Sequence, residues 1–250
     1  MAITGRTWLF ISIGIAVIII AVALASFASL ANRSPQISIS GENPLPVLMV
    51  HGLGEDASVW KKWEDLLNRD KINFSTITFQ ESDDKCGSSF DHSKEIGKKI
   101  SEMLSSFSQQ YRQVNIVAYS KGGLDARVYL ANGSNDVANL IMIGTPNGGS
   151  PLAERSDATC KPGVWDELPE SNATRAKMNP NTKYYTIAGD WQPDKQGDPS
   201  IPGSDDGVVP VSSVESEGYF QSLGHTNKKH QDLIGEDEYK LAQDVLRGRR

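Results

Sequence analysis

The stretch that decides the fold is "VNIVAYSKGGLDAR", Val114 to Arg127. It opens on a short apolar run of the kind that forms a strand buried on both faces. A helix is expected to follow, from Ser120 through "GGLDARVYLAN". Ser120 therefore stands at the joint of strand and helix, with Ala118 and Gly122 two positions away on either side. A serine on so sharp a turn has its hydroxyl pushed out beyond the end of the sheet, and small neighbours let the turn close without side-chain collision. The plainer alternative is an N-cap serine that only satisfies the helix's free backbone donors.

Outward from this joint the chain alternates. "VLMV" (Val47 to Val50) is an apolar run ending in the glycine loop "HGLG", and "SVWKKWEDLLN" follows as a helix. "INFSTITF" (Ile72 to Phe79) alternates as a strand. Ile96, Ile100, Met103, Leu104 and Phe107 then share one helix face. "NLIMIG" and "KYYTIAG" read as further strands, and Tyr239, Ala242, Val245 and Leu246 give the apolar face of a closing helix. Strands alternating with helices predict an α/β class, with a mostly parallel sheet covered on both faces. Two segments break the rhythm, Thr145 to Asn181 and Asp190 to Gly207. Loops of that length in a compact domain usually serve as lids or binding loops.

The chain has 250 residues, 38% hydrophobic and 22% charged, enough for one sizeable core. Its net charge of −6 and the lack of a basic cluster beyond the "RGRR" tail argue against a nucleic-acid partner. Residues 1–31 contain "WLFISIGIAVIIIAVALASFASLA", an uncharged run long enough to span a bilayer, behind Arg6. "SLA" also offers a small-residue cleavage site, so both a signal peptide and an uncleaved membrane anchor remain open. Residues 32–46 form a linker and 47–250 the folded domain. Either reading puts that domain outside the cytoplasm, secreted or membrane-anchored, where disulfides persist; Cys86 and Cys160 are expected to pair.

The pattern around Ser120 is A-x-S-x-G, a variant of the G-x-S-x-G nucleophile elbow. Serine needs a base, usually histidine, which is in turn oriented by a carboxylate. In folds with this elbow the chain order is Ser, Asp or Glu, His, which excludes His51 and His92. His230 and His225 remain. His230 is favoured because it opens a loop leading into the last helix, with His225 as the alternative base. For the acid, "SDDGVVPVSSV" is informative: Asp206 precedes a glycine and an apolar turn, and Asp205 is the alternative. Two main-chain donors are needed for a developing oxyanion. The N–H of Lys121, at the start of its helix, and that of Leu53, in the glycine loop, are the candidates, and the Lys121 side chain needs no catalytic role.

Four blocks, "VLMVHGLGEDASVW", "VNIVAYSKGGLDAR", "LIMIGTPNGGSPLA" and "SDDGVVPVSSV", occur in the order found in the extracellular lipases of the α/β-hydrolase superfamily. The chain resembles that family from about Pro46 onward, with some likeness to the PGAP-type GPI inositol deacylases. Ala118 and Tyr119 depart from the usual glycine and histidine without removing a catalytic group. The resemblance implies an α/β-hydrolase fold and hydrolysis of carboxylic esters, lipid or small-molecule, through an acyl-enzyme on Ser120 with Asp206 and His230. It also implies a lid insertion at about 147–181, with Leu152 and Trp165 as substrate-binding candidates and Val164 and Leu168 beside them. Some secreted lipases of this type hold calcium through an aspartate two positions after the histidine. Asp232 stands there, but no partner ligands can be picked out, and neither metal nor cofactor is expected. The competing readings are an acyltransferase using the same triad and an inactive hydrolase fold that binds at a membrane.

Overall fold

The computed structural model describes residues 44–79, 86–107, 110–155, 160–191, 201, 203–216, 218 and 220–250. The export or anchor segment and most of the linker lie outside them, as do residues 192–200 of the second long loop. Among the described residues no helix is long and apolar enough to cross a membrane.

The chain order is β1 (Val47–Val50), α1 (Lys61–Arg69), β2 (Phe74–Ile77), α2 (Ser89–Ser106), β3 (Val114–Tyr119), α3 (Lys121–Ala131), β4 (Val137–Ile143), α4 (Lys161–Asp166), β5 (Lys183–Gly189), α5 (Val211–Val214), β6 (Gln221–Thr226) and α6 (Glu236–Leu246). The six strands form one sheet in the order β2-β1-β3-β4-β5-β6, and every pairing is parallel. The α/β class is as expected, and parallel pairing extends to every strand.

Period-two alternation divides the core. Val114, Ile116 and Ala118 of β3 join Leu48, Val50, Leu140 and Met142 on the face covered by Ile96 and Ile100 of α2 and Ala126 and Leu130 of α3. Val117 and Tyr119 point the other way, with Met49, Ile141 and Ile187, under Trp63 and Leu67 of α1 and Tyr239 and Val245 of α6. All six β3 residues are buried, which is why the strand reads as a continuous apolar run rather than as alternation.

Sequence and structure differ at the margins. The strand expected over 72–79 is regular only at 74–77, where it forms one edge of the sheet. The helix expected to start at Ser120 starts at Lys121. Strand β6 was not foreseen, because "QSLGHT" lies at the other edge, is largely exposed and carries no apolar run.

The connections leave β1 toward β2 on one side and return past it to β3 on the other. That makes the β1/β3 boundary the point where the direction of winding reverses, and the crevice beyond the carboxyl ends of such strands is where ligands bind in open α/β sheets. The register pairs Val50 with Ala118, so the loop after β1 and the turn after β3 emerge side by side.

Candidate active site

Ser120 has φ 52° and ψ −131°, a conformation rare outside glycine. Such a residue carries of order 1–3 kcal/mol of strain and persists only where its surroundings hold it. Its N–H donates to Ile143 O at 2.8 Å, and its own carbonyl accepts from Thr145 Oγ1 at 2.9 Å and Gly123 N at 3.0 Å. The small residues have specific reasons. A side chain at Gly122 would run into the carbonyl of His51 and come within 2.8 Å of that of Val50, so α3 can pack against the end of β1 only with hydrogen there. Ala118 is fully buried, in the same core cluster as Leu48, Ile116 and Leu130.

His230 lies in a single 3-10 turn, His230–Asp232, ahead of α6. Its Nε2 is 2.9 Å from Ser120 Oγ and its Nδ1 is 2.6 Å from Asp206 Oδ2. The residue is held from several sides. Its main-chain N–H donates to Asp206 O at 2.8 Å, its main-chain carbonyl accepts from Tyr119 Oη at 2.8 Å, and the left-handed Gly144 leaves room beside the ring. Burial, followed by the nearby Glu55 and Asp206, pushes the Tyr119 phenol well above its usual range, so it stays a neutral donor. The other oxygen of Asp206, Oδ1, accepts from the N–H of Val208 at 2.9 Å and of Val209 at 2.7 Å. With both acceptors on Asp206 so committed, Nδ1 of His230 carries the proton and Nε2 presents a lone pair to the serine hydroxyl.

The two alternatives are placed elsewhere. His225 is exposed on β6 with Nε2 2.9 Å from Glu215 Oε1, and so does not serve Ser120. Asp205 is buried, but its Oδ1 accepts from Gly207 N at 2.7 Å and shapes the turn instead of meeting the histidine.

The loop after β1 comes close to the nucleophile: a side chain at Gly52 would lie 2.9 Å from Ser120 Cβ and 3.0 Å from Glu55 Oε2. Among the described residues neither the N–H of Leu53 nor that of Lys121 meets an acceptor, which leaves both open to a ligand oxygen. Of the other candidates, Leu152 is half-buried and Trp165 is 60% exposed on α4. Among the described residues no cluster of three or more His, Cys, Asp or Glu is arranged to hold a metal.

Sequence reasoning missed the acidic and basic groups packed around this centre. The side chain of Lys121, dispensable from the sequence, is fully buried, 2.6 Å from Asp125 Oδ1 and 3.7 Å from Asp166 Oδ2. Asp125 also takes Ser89 Oγ at 2.6 Å and His92 Nδ1 at 2.8 Å. Burial alone would raise Asp125, but Lys121 and His92 hold it down at about 2. Burial lifts Glu55 as well, against the hydrogen bond from Gly52 N at 3.1 Å, and lifts Glu167 further, to about 7. The spacing of "GEDASVW" or "VWDELPE" holds no signal for this, because the groups meet only through tertiary packing. Cys86 and Cys160 are disulfide-bonded as expected, tying the chain ahead of α2 to the start of α4.

The model of the palmitoyl protein thioesterase family matches residues 46–196, more than half of the chain. The chain belongs to that family. The matched stretch contains Leu53, Ser120 and Lys121 and ends before Asp206 and His230. A search of curated proteins found no match. Among solved structures, this thioesterase-family chain resembles Bacillus licheniformis lipase BlEst2 in its mature form, with a TM-score of 0.66 and 22% identity, over 82% of this chain and 93% of that one. It also resembles Paleococcus ferrophilus monoacylglycerol lipase, at 0.60 and 14% over 83% and 96%, and the metagenomic carboxyl esterase MGS0156, at 0.56 and 14% over 83% and 76%. At these identities the likeness is one of fold. Together, family and fold make this an α/β-hydrolase of the lipase and esterase type.

Proposed function

We propose that the protein hydrolyses carboxylic esters through an acyl-enzyme on Ser120. The observation that carries the reading is the relay from Asp206 Oδ2 to His230 Nδ1 at 2.6 Å and from His230 Nε2 to Ser120 Oγ at 2.9 Å, on a nucleophile held in a strained turn. His230 takes the hydroxyl proton as Oγ attacks the ester carbonyl. The oxyanion is received by the main-chain N–H groups of Leu53 and Lys121, and the protonated His230 returns its proton to the leaving alcohol. Water then attacks the acyl-enzyme with His230 again as base, releasing the acid and restoring Ser120. No cofactor is needed at any step. The segment 147–181 is assigned as a lid over the bound ester, with Leu152 and Trp165 as its acyl-binding candidates. The hydrophobic N-terminal run and the disulfide support a catalytic domain outside the cytoplasm, secreted or anchored.

The family match supports a second reading for the leaving group, a thiol in place of an alcohol, through the same acyl-enzyme. A fluorophosphonate probe should label the full chain and not its Ser120→Ala variant, and equal labelling of both would refute the nucleophile. Initial rates on a p-nitrophenyl ester and on an acyl thioester of the same chain length then separate the two leaving-group classes. Failure to turn over either substrate would overturn the function itself.

A further inference from the structure

Two carboxyl groups at the reaction centre have no part in that mechanism. Glu167 caps α4 and is nine-tenths buried, at 9% exposure. Its carbonyl is fixed by Ser150 N at 2.8 Å, while its carboxyl takes no hydrogen bond from a described residue and its oxygens are not closed off from solvent. The helix it caps is seated on the candidate oxyanion residues: a side chain at Gly163 would collide with Leu53 Cδ1 and lie 3.2 Å from Lys121 Cε. Lys121 and His230 are both within electrostatic reach of Glu167. Glu55 belongs to the loop after β1, and its Oε2 lies beside the same small volume at Gly52 as Ser120 Cβ.

A carboxyl nine-tenths buried, served by no protein donor yet still reachable from solvent, is placed to take its partner from a bound ligand. An aliphatic acyl chain offers Glu167 nothing. The polar half of the substrate does, and its sign follows from the surroundings. Lys121 is already committed to Asp125 and Asp166, so the centre retains an excess of negative charge in Glu55 and Glu167. An anionic leaving group would be repelled and a cationic one held.

We propose that Glu167, together with Glu55, is a specificity-determining residue that selects esters whose leaving group carries an ammonium charge. This rests on the acyl-enzyme reading above. The charged groups that act on Glu167 are Lys121 and Asp125 from α3, Asp166 from its own helix and His230 from the turn before α6. Burial, chiefly, brings its titration to about 7, so the selection should strengthen as pH rises through neutrality.

The test compares two butyrate esters of the same shape, of choline and of 3,3-dimethylbutanol, which differ only in the leaving group's charge. The read-out is the ratio of their kcat/KM values on the full chain in detergent, between pH 5.5 and 8.5. Because both esters use the same relay, titration of His230 cancels in the ratio. At pH 8.5 the cationic ester should be preferred by about tenfold, equivalent to roughly 1.4 kcal/mol, and the preference should fall toward unity at pH 5.5. Glu167→Gln should bring the ratio near unity at every pH, and Glu55→Gln should lower it in part. A ratio near one for the wild type at pH 8.5, or a ratio kept by Glu167→Gln, overturns the inference while leaving the hydrolase reading intact. Turnover of neither ester overturns both. Should Glu167→Gln fail to fold, the pH dependence of the wild-type ratio decides alone, a flat ratio being the refuting result.

Discussion

Replacing Asp206 by asparagine tests the relay more sharply than deleting it. Oδ1 accepts two backbone N–H groups, from Val208 at 2.9 Å and Val209 at 2.7 Å, while Oδ2 faces His230 Nδ1 at 2.6 Å. In D206N the amide oxygen must take the place of Oδ1, since two donors point there, and the amide NH2 must then face Nδ1. A donor opposite Nδ1 forces that nitrogen to accept, and the ring proton moves to Nε2, 2.9 Å from Ser120 Oγ. The lone pair that should receive the serine proton is gone, although no atom has moved far. The expected loss in kcat is about 10⁴, the order found when the carboxylate of a Ser-His-Asp triad is so replaced. That is about 5.4 kcal/mol of transition-state stabilisation at 1.36 kcal/mol per factor of ten. Stability should change by under about 1 kcal/mol, because both backbone donors keep an acceptor. D206A should instead lower Tm clearly, stranding the buried N–H of Val209 at about 1–3 kcal/mol, with a smaller cost at the part-buried N–H of Val208. Turnover of p-nitrophenyl butyrate at pH 8 and thermal unfolding of the same preparations give both numbers. Activity of D206N within tenfold of wild type would refute the tautomer argument, as would a 10⁴-fold loss in D205N.

Gly122→Val should lower stability by about 2–3 kcal/mol and displace the Lys121 N–H, because its Cβ meets the carbonyls of His51 and Val50; a Tm within 2 °C of wild type would contradict this. The disulfide closes a loop of 74 residues, so Cys86→Ser with Cys160→Ser, or reduction, should cost about 4 kcal/mol, read from denaturant midpoints. Burial brings Glu167 up to about 7 in the folded protein, against the 4.5 of a solvated glutamate in the unfolded chain. Below pH 4.5 both states are protonated and no penalty exists. Between 4.5 and 7 the unfolded chain ionises first, and above 7 the native state carries the full cost, on the order of 3 kcal/mol. Glu167→Gln should therefore raise Tm at pH 8 and leave it nearly unchanged at pH 4.5, and an equal shift at both pH values would contradict the assignment.

The fold was legible because its signals are local. Val114 to Tyr119 read as a buried strand although Asn115 interrupts its apolar residues, and the Ser120 turn was read from the small residues two positions away. The order Ser, Asp, His in the chain reduced four histidines to His230 and His225, and the loop before the last helix favoured His230; it is His230 that hydrogen-bonds Ser120 and Asp206 that hydrogen-bonds His230. Strand β6 was not legible, since an exposed edge strand pairing on one side needs no apolar pattern. Nor were Glu55, Glu167 and the buried ion pair of Lys121. A lysine one residue after the nucleophile reads as solvent-facing, and only packing against Asp125, Asp166 and His92 shows otherwise.

That buried lysine links two parts of the site that the sequence treats separately. Its N–H is one candidate oxyanion donor, so its main chain must hold position within a few tenths of an ångström to be useful. Its side chain is gripped by Asp125 from its own helix and lies 3.7 Å from Asp166 of α4. Asp166 Oδ2 in turn accepts from Ser89 N at 2.5 Å at the start of α2, and Gly163 N donates to Cys86 O at 3.1 Å beside the disulfide. The segment assigned as a lid is therefore bonded, through α4, to the residue that positions the oxyanion donor. Substitutions in α4 that loosen Asp166 should reach kcat through Lys121 as well as KM through the acyl pocket. Asp166→Asn, which keeps the acceptor for Ser89 and removes the charge beside Lys121, separates the two effects: a fall in kcat with KM unchanged is the expected result, and a change confined to KM would show that α4 acts on substrate alone.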